Sequence, residues 1–142
     1  MPKANIYLNF DGTAEEAFKF YQSVFGGEFA MLQRFSEIPD ADKIPDDARD
    51  RIMHIALPLS PDDVLMGSDI MEGMGEPLKV GTNFSISLST ESKEEADRLF
   101  AGLSTGGKAD MPMQDTFWGS YFGMLTDTFG IQWMVSYDAN YQ

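Results

Sequence analysis

Thr13-Ala14-Glu15-Glu16-Ala17-Phe18-Lys19-Phe20-Tyr21 and Ser92-Lys93-Glu94-Glu95-Ala96-Asp97-Arg98-Leu99-Phe100 are two versions of one segment. Each starts on a hydroxyl residue, continues Glu-Glu-Ala and reaches a bulky apolar pair. Gly26-Gly27 follows the first and Gly106-Gly107 the second, so the offset is 79 residues at the front and 80 at the glycines. Thr13 and Ser92 each precede a Glu by three positions, the pattern of a capping box. Ala17, Phe20, Tyr21 and Val24 recur at helical spacing, as do Ala96, Leu99, Phe100 and Leu103, so both segments read as amphipathic helices. The glycines allow left-handed backbone and end each helix.

Outward from the helices the period changes to two. Ile6-Tyr7-Leu8-Asn9-Phe10 precedes the first helix and Asn83-Phe84-Ser85-Ile86-Ser87-Leu88 the second. Such alternation marks strands with one buried face. Ile6, Leu8 and Phe10, and Phe84, Ile86 and Leu88, should face the helices. Tyr7, Asn9, Ser85 and Ser87 should face away. Further strands are expected at 28–35, 51–59 and 64–68, and at 109–113, 121–127 and 131–137, with Asp127-Thr128-Phe129-Gly130 as a turn. Each half is then β-α-β-β-β and the class is α+β. The 142 residues suit a single domain: module one about 1–69, a Gly-rich linker about 70–81, and module two about 82–142. The acidic stretch 37–50, with two prolines, is expected as a mobile or rim loop.

Charge and composition exclude several functions. A net charge of −13 argues against nucleic acid, which needs a basic face, and against an anionic membrane surface. No apolar run approaches the ~20 residues of a membrane helix. The chain has no Cys, so disulfides and thiolate metal sites are impossible. A cytoplasmic protein is expected.

In their order and spacing the motifs resemble the vicinal-oxygen-chelate (glyoxalase/bleomycin resistance/dioxygenase) superfamily, and most of all its PhnB-like branch. The residues that carry the resemblance are Tyr7 to Gly12, Glu15-Glu16-Ala17 with Phe20-Tyr21, and Phe25 to Glu28. Ile52 to Leu57, Leu65 to Asp69, Phe117-Trp118-Gly119 and Phe129 to Trp133 continue it. The resemblance implies two βαβββ modules curled into a U-shaped open barrel. It implies a homodimer, and a cup that holds a small molecule or a metal. Some relatives carry a methyltransferase label, but no strand-to-helix turn here has the Gly-rich pattern of a nucleotide-type cofactor.

The metal ligands of the superfamily map near Asn5 to Tyr7, near Phe84 or Ser85, and onto His54 and Met134. His54 alone is a strong ligand, and zinc or iron requires several. No metal and no other cofactor is expected. An EF-hand reading of the acidic stretch fails because Pro45 stands where glycine is needed, and Gly119 to Gly123 is no nucleophile elbow.

His54, mid-strand, should face the cup with Ala56, while Met53, Ile55 and Leu57 face the helix. It is the candidate catalytic residue, since imidazole titrates near neutrality; the alternative is a structural histidine. Tyr7, Asn9, Ser85, Ser87, Gln132 and Met134 are candidate ligand-binding residues, Met134 as an apolar wall, joined by Trp118 as an aromatic candidate and Arg34 as an anion contact. Core or interface packing competes for Trp118, and a surface salt bridge for Arg34. The functions open at this point are a metal-free small-molecule protein, a metal-dependent lyase or dioxygenase, and a drug-sequestering or structural dimer.

Overall fold

The computed structural model of the chain describes residues 2–71 and 75–139. It divides into two compact units, Met1–Lys79 and Val80–Gln142. The break falls within the expected linker, of which positions 72–74 lie outside the described residues. The first unit contains β1 (Ile6–Phe10), α1 (Ala14–Phe25), β2 (Met31–Arg34), the single turn α2 (Asp46–Arg49), β3 (Ile52–Pro58) and β4 (Val64–Asp69). The second contains β5 (Ile86–Ser89), α3 (Lys93–Ser104), β6 (Lys108–Asp115), β7 (Tyr121–Thr126) and β8 (Gln132–Tyr137).

Both units repeat one topology. The first sheet has the order β1-β4-β3-β2 and the second β5-β8-β7-β6. In each, the first strand lies parallel to the last, and the other pairs are antiparallel. The duplication read from the two helices therefore extends to every strand.

One helix covers one face of each sheet. Ala14, Ala17, Phe18, Tyr21 and Val24 of α1 are buried together with Leu8, Phe10, Ile55, Leu57 and Leu65. Gly67 of β4 makes the close approach possible: a Cβ there would stand 2.7 Å from the Leu8 carbonyl and 2.9 Å from the Phe18 ring. In the second unit Ala96, Leu99 and Leu103 pack over Ile86, Leu125, Trp133 and Val135, all buried.

Several local expectations need correction. Phe18, not Phe20, completes the buried stripe of α1; Phe20 is only half-buried. A bulge where β2 pairs with β3 shifts the alternation, so Ile52 is buried in place of Met53. Strand β5 begins at Ile86, which leaves Phe84 outside it and 56% exposed rather than under the helix. Thr13 makes no side-chain cap. Its task falls to Asp69, whose Oδ1 accepts from the Gly12 and Ala14 N–H groups at 2.8 and 3.0 Å. Ser92 does cap α3, accepting from Glu95 N–H at 3.0 Å. The acidic stretch 37–50, expected as a mobile or rim loop, contains short helical turns. Arg49 stitches them by donating to the carbonyls of Ala41, Ile44 and Asp42.

Candidate functional site

The helix-free face of the first sheet gathers three of the residues named from sequence. Register puts Tyr7 opposite Met66 and Asn9 opposite Ser68 across β1 and β4. It puts Gln33 opposite His54 across β2 and β3. Side chains alternate along a strand, so Tyr7, Asn9 and His54 share the face that α1 does not cover. The Tyr7 and His54 rings stack, with centroids 5.8 Å apart and planes at 30°. Tyr7 Oη stands 3.5 Å from His54 Nδ1, a long contact of the kind that tightens when a ligand is engaged.

Gln33, Ser68 and Met66 join this face although sequence reading did not name them. Their alternation was visible, but which strands neighbour which was not. Across its strand positions the face carries phenol, imidazole, amide, hydroxyl and thioether groups and no formally charged side chain.

Arg34 lies elsewhere. Its guanidinium is clamped on Glu15 of α1, with Nη1 to Oε1 at 3.0 Å and Nη2 to Oε2 at 2.6 Å, and Nη1 also donates to the Asp50 carbonyl. The hydrogen bonds from Arg34 hold the Glu15 carboxyl below its ordinary range, against the opposing effect of partial burial. The guanidinium is thus committed to a partner on the helix side of the sheet.

The remaining candidates belong to the second unit. Ser87 pairs with Met134 across β5 and β8 on its helix-free face. Ser85 precedes the strand. The Gln132 amide donates to the Phe84 carbonyl at 3.3 Å. Trp118, on the β6–β7 connection, is 55% exposed and meets Phe117 and Phe122 edge-on.

A cleft of 510 Å³ opens at the end of the first sheet, lined by Asp11, Arg51, Ile70, Met71, Glu76 and Leu78 among others. None of the candidate catalytic or ligand-binding residues is in its lining. Arg51 is held there by Asp11 Oδ1 at 2.9 Å and by the Ile70 carbonyl at 3.0 Å.

Two four-stranded sheets of this order, each a βαβββ module, define the vicinal-oxygen-chelate class. A glyoxylase/bleomycin resistance protein/dioxygenase domain from Frankia sp. shares the fold, with a TM-score of 0.68 at 14% identity over 100% of this chain and 95% of that one. The 3-demethylubiquinone-9 3-methyltransferase family model matches residues 2–136. The chain belongs to that family, in the PhnB-like branch of the class. Protein PA1353 of Pseudomonas aeruginosa is 38% identical with a TM-score of 0.85, covering 97% of this chain and 98% of its own. A structure from Bacillus cereus, described as a putative 3-demethylubiquinone-9 3-methyltransferase, PhnB protein, is 26% identical with a TM-score of 0.75 over 96% of this chain and 99% of that one. Protein YjdN of Escherichia coli (strain K12) is 30% identical over 141 residues, 92% of this chain and 91% of YjdN.

The divalent metal that this fold implies does not suit the donors present. His54 is the only imidazole in the chain, and its neighbours on the face are neutral amide, hydroxyl, phenol and thioether groups. Zinc and iron require several imidazole, thiolate or carboxylate donors. Among the described residues no three His, Asp or Glu side chains are grouped to hold a metal ion. Nor is any described helix long and apolar enough to cross a membrane.

Proposed function

We propose that this PhnB-like protein binds a small, uncharged, planar molecule on the helix-free face of its first sheet, without a catalytic metal. The stacked Tyr7–His54 pair carries this reading. A flat ring lies well against an aromatic surface, and Asn9, Gln33 and Ser68 around it offer neutral donors and acceptors that fix orientation. A strongly charged ligand would find no counter-charge at the strand positions of this face. If a reaction follows binding, His54 is the group able to carry a proton, with Tyr7 as its hydrogen-bonding partner. On this reading the protein works in the cytoplasm as a homodimer, with exposed Phe117 and Trp118 among the aromatic side chains available for an interface.

The family's description names a methyl transfer. The helix starts here do not favour an anionic cofactor group, because Asp69 occupies that of α1 and Ser92 that of α3.

The test is a thermal-shift screen of neutral heterocycles and aromatic amides, followed by calorimetry on the best binder. His54→Ala and Tyr7→Ala should each weaken binding by about tenfold or more, roughly 1.4 kcal/mol. Unchanged affinity in both variants would remove the site. Elemental analysis of protein purified without chelators should find well under one equivalent of zinc, iron, manganese, cobalt or nickel, and one of these held tightly at one equivalent would overturn the reading that no catalytic metal is used.

A further inference from the structure

On the second sheet, Met111, Met124 and Met134 stand side by side on β6, β7 and β8. Met111 is the register partner of Met124, and Met124 is the partner of Met134. Cross-strand partners share a face, here the face that α3 leaves uncovered, and all three residues are half-buried. One register shift, between Ala109 and Met111, brings Met111 opposite Met124, and a second bulge follows between Met111 and Gln114. It turns Met113 to the opposite face, where its sulfur packs at Gly123 beside Phe100 of α3.

We propose that these three thioethers form a site for a soft monovalent cation, Cu(I) or Ag(I). Thioether sulfur is a neutral, polarizable donor that selects such ions over zinc, magnesium or calcium. The chain has no Cys, so no thiolate competes for them. The geometry is feasible. Two strand spacings separate the outer pair by about 10 Å at Cβ. Metal–sulfur bonds of about 2.3 Å need the sulfurs brought to roughly 4 Å from one another. The outer pair cannot close that gap directly, but each stands only one strand spacing, about 5 Å, from Met124, so Met124 with either neighbour reaches the required sulfur–sulfur distance through the rotatable bonds of methionine.

Apolar lining alone does not account for the choice. β-branched and aromatic residues suit strands better than unbranched methionine, and the helix-facing side of these same strands uses Leu125, Trp133 and Val135. The duplicated fold supplies an internal control. The corresponding line across the first sheet reads Tyr7, Met66, Ala56, Met31. Ala56 stands where the second unit has Met124, so the central donor is missing there.

Silver nitrate would be titrated, in chloride-free buffer, into the full chain labelled with ¹³C at the methionine methyls. One equivalent should bind, moving the methyl resonances of Met111, Met124 and Met134 and leaving the other seven of the ten in place. Met124→Leu, which conserves volume, should weaken binding by about tenfold or more, whereas Met31→Leu and Met66→Leu should leave it unchanged. Absence of binding, shifts centred on other methionines, or wild-type affinity in Met124→Leu would overturn the proposal. Should that variant fail to fold, the pattern of methyl shifts in the wild-type chain decides.

Discussion

The Arg34–Glu15 pair ties the last residue of β2 to the first turn of α1 through two charge-assisted bonds. Both side chains are about a third exposed, so water screens the pair and its net worth is about 1 kcal/mol rather than that of a buried clamp. Glu15 is held below its ordinary value of about 4.5, first by the hydrogen bonds from Arg34. A carboxyl lowered in the folded state stabilises fully above its unfolded pKa and loses that contribution as pH falls through the folded value. Glu15→Gln should therefore cost about 1 kcal/mol at pH 7, and the gap to wild type should close as the solution is acidified below about pH 4.5. Urea unfolding of both proteins across that range checks this. A gap that stays constant with pH would assign the loss to packing instead of charge. Two residues named for the site thus part company in the structure: Arg34, named for anion contact, is engaged by an acid on the helix side, while His54, named as catalytic, meets the neutral Tyr7 hydroxyl.

Among the elements, α1 owes its position to a residue far along the chain. Asp69, at the end of β4 and 4% exposed, accepts from Gly12 and Ala14 at the helix start and, through Oδ2, from Ile52 N–H of β3 at 2.8 Å. One carboxylate thereby locks β1, α1, β3 and β4 together. Asp69→Ala would leave two buried donors, Ala14 and Ile52 N–H, and the part-buried Gly12 N–H without their acceptor, and it should cost about 2–4 kcal/mol, read as a lower urea midpoint at unchanged slope. A loss below about 1 kcal/mol would mean that water replaces the carboxylate. This lock also shows what sequence reading reaches. Period-two strands, the apolar stripes of α1 and α3 and the Ser92 cap are local patterns, and they were legible as such. The Thr13 cap looked equally good locally, yet Asp69 takes the helix start from 55 residues away. Bulges behave in the same way: the inserted residues that bury Ile52 and align Met111 with Met124 leave no period in the sequence. For the site, alternation correctly put Tyr7, Asn9 and His54 on one face, but Gln33 and Ser68 join them only through strand order.

At the scale of the whole molecule, duplication has kept the backbone and let the chemistry diverge. The same four positions across a sheet read Tyr7, Met66, Ala56, Met31 in one unit and Ser87, Met134, Met124, Met111 in the other. One copy supplies an aromatic hydrogen-bonding surface and the other a line of sulfurs. Both copies carry an excess of acid: 23 Asp and Glu against 10 Lys and Arg leave a net charge of −13. Two salt effects then oppose each other. Screening weakens the ion pairs, but those described are mostly exposed, and such pairs are worth about 0–1 kcal/mol each. Screening also relieves repulsion among the unmatched carboxylates. At 10 mM salt the Debye length of roughly 30 Å couples charges right across a unit, whereas at 150 mM it shrinks to about 8 Å. Repulsion between many distant charges should lose more than a few close pairs do, so added salt stabilises this protein. Raising NaCl from 10 to 150 mM at pH 7 should lift Tm by about 3–6 °C, equivalent to about 1–2 kcal/mol for a chain of this size. Calorimetry at fixed protein concentration, repeated with choline chloride to exclude specific sodium binding, measures it. A Tm that falls with salt would show that the ion pairs outweigh the repulsion, and that the acidic surface carries no net penalty for folding.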